Sequence, residues 1–212
     1  MIRTGTVVGL MLWTSLSIAE SNTDATQSTE ALLVQSCAAC HGPEGQGVAN
    51  FPRLAGLGER YLLAQLDAFA SGKRDNAIMK PLVVNLTHSQ KQALAEHFSA
   101  LPVKPAQNSS GGSAINDAGR NLALHGRWDE GIPACVQCHG PDGSGIGEDF
   151  PPLAGQPARY LQDQLEAWRS GKRSGDPMGL MEQVAKSLDG DDLAPVADYF
   201  ASLPSKKGAD HE

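Results

Sequence analysis

Aromatic side chains are scarce in this chain: Phe, Trp and Tyr make up 5% of its 212 residues. Little apolar bulk is available for a core, so two small domains would each be thinly packed without a metal or cofactor as a staple. Basic residues are in deficit, with 17 Lys and Arg against 24 Asp and Glu, which argues against nucleic acid as a partner. Strict apolar–polar alternation is missing, so strands are not expected. Cysteine is limited to four residues, and these fall in two short stretches, "CAACHG" at 37–42 and "CVQCHG" at 135–140. Neither folding nor solubility requires Cys-x-x-Cys-His twice, so the pattern needs a chemical explanation.

The N-terminus places Arg3 before an uncharged apolar stretch from Thr6 to Ala19, followed by "SIA" and Glu20. This is the layout of a bacterial export signal cleaved after Ala19. The apolar stretch is shorter than the ~20 residues of a spanning helix. No cysteine precedes Cys37, so no lipid-attachment site is expected, and the mature chain is expected in the periplasm. Charge is unevenly spread: residues 20–104 hold seven basic and eight acidic side chains, and residues 105–212 hold nine and sixteen. The acidic excess, including "DGDD" at 189–192, suits either a solvated face or a docking face for a basic partner.

The chain repeats itself. "CAACHGPEGQG" matches "CVQCHGPDGSG" at an offset of 98, "FPRLAG" matches "FPPLAG" at 99, and "RYLLAQLDAFASGKR" matches "RYLQDQLEAWRSGKR" at 99. "EHFSALP" matches "DYFASLP" at 102. Preserved order with a slowly growing offset indicates a duplicated domain. The expected organisation is a signal at 1–19, an N-terminal domain at 20–102, a Pro/Ser/Gly linker at 103–114, a C-terminal domain at 115–205 and a polar tail at 206–212. Each copy reads as helices and loops. Leu62, Leu66 and Phe69, and likewise Leu161, Leu165 and Trp168, share one helix face, with Gly72 and Gly171 as stops. A last helix opens at Thr87 with Gln90 as a capping box, and its counterpart opens at Asp189 with Asp192. Pro195 lies inside the second of these helices, where it should bend it or delay its start.

Three chemistries compete for Cys-x-x-Cys-His. A thioredoxin-like pair belongs beside a βαβ pattern, which is not visible. Zinc would find two Cys and one His in each copy and would lack a fourth ligand. Covalent haem attachment uses every member: Cys37 and Cys40, or Cys135 and Cys138, become thioethers, and His41 or His139 lies under the iron. The other axial position needs a soft donor at matching places. Seven residues before Leu86 stands Met79, and seven before Leu188 stands Met181; a thioether there suits low-spin iron. Met178 is the rival in the second copy. His88, His97, His125 and His211 have no counterparts in the other repeat and read as surface or packing residues. The Gly-rich runs after each motif lack a P-loop Lys-Ser/Thr and read as a chain reversal around the porphyrin.

These residues, together with "NFPRLAG", "DFPPLAG" and the closing "FSALP" and "FASLP" segments, resemble class I c-type cytochromes, and their duplication is similar to the dihaem cytochrome c4 family. The resemblance covers nearly the whole mature chain. It implies an all-α protein of two tandem cytochrome c domains, each wrapped around one covalently attached haem c and related by a pseudo-twofold. It also implies that Pro52 and Pro151 offer backbone carbonyls to the proximal histidines.

With His and Met on both irons no site is left for oxygen, peroxide or substrate, so the expected role is electron transfer and not catalysis. By resemblance, the expected carrier is a monomer relaying electrons between a quinol-oxidising complex or dehydrogenase and a terminal oxidase, touching membrane complexes only peripherally. The alternative is a cytochrome subunit bound to one periplasmic dehydrogenase. A dihaem peroxidase would lack one of the methionines, and both are present.

Overall fold

A computed structural model describes residues 20–104 and 117–205. The expected signal and polar tail, and the linker from residue 105 on, lie outside the described residues. The first half consists of α1 (Glu20–His41), α2 (Glu59–Ser71), α3 (Met79–Val83) and α4 (His88–Ala100). The second consists of α5 (Asp117–His125), α6 (Val136–His139), α7 (Ala158–Arg169), α8 (Leu180–Ser187) and α9 (Gly190–Ser202), with short 3-10 turns at Trp128–Glu130 and Pro177–Gly179. Among the described residues there are helices and isolated bridges but no extended strands, as the missing alternation implies. No described helix is long and apolar enough to cross a membrane.

Two separate apolar cores form. In the first, Leu62 from α2 packs with Leu94, Ala95 and Phe98 from α4, and Leu33, Val34 and Cys37 of α1 close over them. In the second, Leu161 of α7 packs with Leu193, Val196, Ala197 and Phe200 of α9 and with Leu122 of α5. Both capping boxes form: Thr87 accepts from the Gln90 amide at 3.2 Å while Gln90 accepts from the Thr87 amide at 2.9 Å, and Asp189 and Asp192 repeat the arrangement on α9. Pro195 does not delay α9, which begins directly after its cap at Gly190. The helix can start there because the cap and the apolar face behind it outweigh one missing N–H. Gly119 of α5 then lies so close to Pro195 that a β-carbon would meet the proline carbonyl oxygen.

The chain reversal after each Cys-x-x-Cys-His motif brings a glycine against the last helix. Gly45 and Gly143 both have positive φ, +62° and +66°, and a β-carbon would approach Phe98 to 2.9 Å and Phe200 to 2.7 Å. Only glycine meets both demands.

The two halves meet about a local twofold. The amide of Asp75 donates to the Lys172 carbonyl at 2.7 Å, and the amide of Ser174 donates to the Lys73 carbonyl at 2.7 Å. Residues 73 and 75 are displaced from 172 and 174 by 99, the repeat offset, so the contact is self-complementary in the way a symmetric dimer interface is. Arg53 breaks the symmetry, since Pro152 stands at its repeat position. Its backbone and the Gln156 side chain exchange hydrogen bonds of 2.9 and 3.0 Å across the seam.

Candidate haem-binding sites

The sites begin with helix ends. Cys37, Cys40 and His41 form the last turn of α1, and Cys135 caps α6, which carries Cys138 and His139. In a helix a Cys-x-x-Cys spacing puts both thiols on one side of a single turn, with the next residue beside them. No disulfide joins any of the four cysteines. Burial raises the Cys37 thiol, with the nearby Cys40 adding to it, and pushes Cys135 up to about 11. Thiols held protonated in this way are poor nucleophiles for disulfide exchange.

Both histidines are buried, and each ring is fixed. His41 Nδ1 lies 2.8 Å from the Pro52 carbonyl oxygen, and His139 Nδ1 lies 2.8 Å from that of Pro151. A carbonyl oxygen can only accept, so the proton sits on Nδ1 and the Nε2 lone pair remains for a metal. Burial holds both imidazoles below the usual histidine range, although the carbonyl contacts oppose it. Hydrogen bonding at the far nitrogen orients the ring and makes it a better donor.

In the second domain a cavity has Cys135, Cys138, His139 and Pro151 in its lining. Its walls are apolar, with Leu122, Ile132, Leu165 and Phe200 among them, and Met181 also lines it. Met178 does not line this cavity: it is 82% exposed on a turn with φ +56°. The residues present fit a haem c. They supply two thiols, a buried histidine with a free lone pair, a thioether and apolar walls. The Nε1 of Trp168, another lining residue, is buried without a partner, which suits an acceptor oxygen on the bound group. Leu57 and Tyr61 of the first domain complete the same cavity, so the second site is not built by its own domain alone.

In the first domain Met79 is the first residue of α3 and is half-buried. Its amide, like that of Ile78, donates to Asn76 Oδ1 at 2.9 Å. The Met181 amide donates to Asp176 Oδ2 at 2.7 Å. An Asx side chain thus fixes the backbone at each methionine, three residues ahead in one copy and five in the other. The sequence reading missed this pair because the insertion changes the spacing.

Comparison with known proteins agrees with this geometry. The cytochrome c family model matches twice, at residues 29–107 and 130–204. A protein of Stutzerimonas stutzeri described as a thiosulfate dehydrogenase electron acceptor is 41% identical over 203 residues, covering 95% of this chain and 94% of that one. The crystal structure of reduced recombinant cytochrome c4 from Pseudomonas stutzeri superposes with a TM-score of 0.72 at 34% identity, covering 85% of this chain and 97% of that one. A thiosulfate dehydrogenase (TsdBA) structure from Marichromatium purpuratum gives a TM-score of 0.74 at 45% identity over 79% of this chain; the match spans 36% of that longer chain. The chain belongs to the cytochrome c family, as a tandem dihaem electron-transfer protein of the cytochrome c4 type.

Proposed function

We propose that this chain is an exported dihaem carrier that takes single electrons from a thiosulfate-oxidising dehydrogenase in the periplasm and passes them to a respiratory acceptor. The observation that carries the reading is a carbonyl-aimed histidine and a methionine that line one apolar cavity in the second domain. Each buried histidine is held by a proline carbonyl, and Met181 lines the cavity that holds His139. His41 and Met79, with the thiols of Cys37 and Cys40, would hold one haem, and His139 and Met181, with the thiols of Cys135 and Cys138, would hold the other. When bound, haem supplies a one-electron couple. The chain's own residues orient both imidazoles through proline carbonyls and wall the second cavity with apolar side chains. A thioether opposite histidine raises the potential relative to a second histidine.

The choice of donor rests on two likenesses. One relative is described as the electron acceptor of thiosulfate dehydrogenase, and a similar module forms about a third of a longer chain described as a thiosulfate dehydrogenase. The surface suits a docked partner. Ile78, Leu82 and Val84 are exposed beside Met79, and apolar side chains grouped in this way mark an interaction site. Met178 and Leu180 are likewise exposed beside Met181, so each domain presents apolar side chains to a partner, whether as a lasting subunit or a shuttle.

The test is to mix the oxidised holoprotein with a thiosulfate dehydrogenase catalytic subunit and thiosulfate and to follow the absorption spectrum. Reduction of two haems per chain is expected, slowed at least tenfold by Ile78→Asp with Leu82→Asp. Absence of reduction, alongside normal reduction by dithionite, would remove this donor from consideration.

A further inference from the structure

The two methionine segments are copies of one another, yet they differ in charge at the residue that holds the methionine. Asn76 Oδ1 accepts from the amides of Ile78 and Met79, both at 2.9 Å. In the second copy Asp176 Oδ2 takes that place and accepts from the Met181 amide at 2.7 Å. The backbone contact is kept while a neutral side-chain amide is exchanged for a carboxylate. Holding the amide uses one carboxylate oxygen. The other, Asp176 Oδ1, is buried without a hydrogen-bond partner, and among the described residues Asp176 forms no ion pair. A neutral acceptor would hold Met181 equally well, as Asn76 does for Met79, so the carboxylate at this place calls for a role of its own.

The neighbouring charges do not cancel the difference. Lys73 and Arg74 have Lys172 and Arg173 as repeat equivalents, so they act alike on both copies and drop out of the comparison. Of the remaining charges between Lys73 and Leu86, Asp75 and Lys80 are both exposed and opposite in sign. In the second segment Ser174 stands in place of Asp75, and Glu182 follows Met181 where Lys80 follows Met79. Glu182 is paired with Lys186 at 2.5 Å. Asp176 is what is left. Exposed charges are screened by water and salt over about 8–10 Å, whereas a carboxylate oxygen sealed from water acts through a lower effective dielectric. Only one contact separates Asp176 from Met181, which lines the same cavity as His139.

We infer that Asp176 makes the second haem the weaker electron acceptor of the two, so that an electron shared between the domains settles on the first. The inference rests on the dihaem, His–Met reading of the sites and adds a direction to it. An aspartate is ionised at neutral pH, and a negative charge close to an iron favours its ferric over its ferrous state. Passage from the second site to the first moves one electron and breaks no bond. Asp176 is a positioning residue for this transfer, since it touches Met181 and acts on the iron only through its charge.

Redox titration of the full holoprotein, followed by absorption, tests this. The wild type should titrate in two steps, with the second haem at the lower potential. The Met181→Ala variant, in which the first haem alone keeps a His–Met charge-transfer band, tells the steps apart. Asp176→Asn should raise the reduced-to-oxidised ratio of the second haem at fixed potential about tenfold, or about 59 mV for a one-electron couple, and leave that of the first within twofold. Both charge-transfer bands should stay at full strength, because asparagine serves the amide in the first copy. Asn76→Asp should lower the ratio of the first haem about threefold, less than tenfold because Asn76 is exposed, and it decides the matter where Asp176→Asn does not mature. A second haem at the higher potential in the wild type, or an unchanged ratio in Asp176→Asn, would overturn the inference. So would a shift that comes with loss of the second band, which would leave Asp176 a purely structural anchor for Met181. Fewer than two haems per wild-type chain, or a wild type without the band at both, would overturn the reading beneath it and is told apart by the same spectra.

Discussion

At the scale of single residues, the sites depend on pairing a donor with something that aims it. His41 and His139 are aimed by proline carbonyls, and the backbones of Met79 and Met181 are held by Asn76 and Asp176. Met181→Ala should therefore remove the His–Met charge-transfer band of the second haem and let its reduced form bind carbon monoxide, while Met178→Ala leaves the absorption spectrum unchanged. A spectrum altered equally by both substitutions would undo the choice between them. The two Cys-x-x-Cys-His motifs were legible in the sequence because the duplication set them 98 residues apart, and Met79 and Met181 were singled out because each stands seven residues before a matching leucine. Arg53 and Gln156 were not legible. Pro152 stands opposite Arg53 in the repeat and Leu57 opposite Gln156, so neither has a twin, and their contact spans 103 residues. Periodicity carries no record of such a contact. Arg74 and Arg173, which bridge the two halves, have the twins but appear in the sequence only as the last residues of two "GKR" runs.

At the scale of elements, the acidic segment 189–192 serves α9 more than it serves an outside partner. Asp189 caps the helix, and Asp192 bonds back to the Asp189 amide at 2.8 Å. Asp192 also takes both terminal nitrogens of Arg127, at 2.8 and 2.6 Å. A docking face at "DGDD" thus loses two of its three carboxylates to internal bonds. The bidentate Arg127 contact holds the Asp192 carboxyl below the usual aspartate range, with the backbone of Asp189 adding to it. A carboxyl whose folded value is depressed contributes stability above its unfolded value, near 4, and loses it as pH falls through the folded value. Asp192→Ala should cost about 1–2 kcal/mol at neutral pH, a range discounted for the part-exposed Arg127. Chemical denaturation at pH 7 and at pH 2.5 checks this, and the gap between the wild type and the variant should narrow at the lower pH. A difference that is the same at both would mean the Asp192 side chain acts by shape and not by charge. At the ends of the chain reversals, Gly143→Ala should cost about 1–3 kcal/mol, since it combines a positive φ with a ring at contact distance. Thermal unfolding of the holoprotein reads that loss directly.

At the scale of the whole molecule, the scarcity of aromatics becomes a statement about dependence. The first core is built from a few leucines, one alanine and Phe98, and a domain of this size has little margin without its prosthetic group. Haem is therefore expected to be structural as well as functional, and Cys37→Ala with Cys40→Ala should leave the first domain largely unfolded. The consequence extends across the seam. Leu57 and Tyr61 close the cavity of the second site, the Tyr61 amide bonds to the Glu148 carbonyl at 3.1 Å, and Gln156 has its partners on Arg53. Removing the first domain's structure withdraws all of these from a domain that keeps its own haem. A loss of about 1–2 kcal/mol lowers the midpoint of a domain this small by about 4–16 °C. The double substitution should thus remove one unfolding transition and move the remaining one, followed by the absorbance of the second haem, down by about that amount. If the second transition stays at its wild-type temperature, the domains are independent beads, and the seam contributes nothing to the second site. If instead the first domain melts cooperatively without haem, its small core suffices, and the chain needs its cofactors for electrons alone.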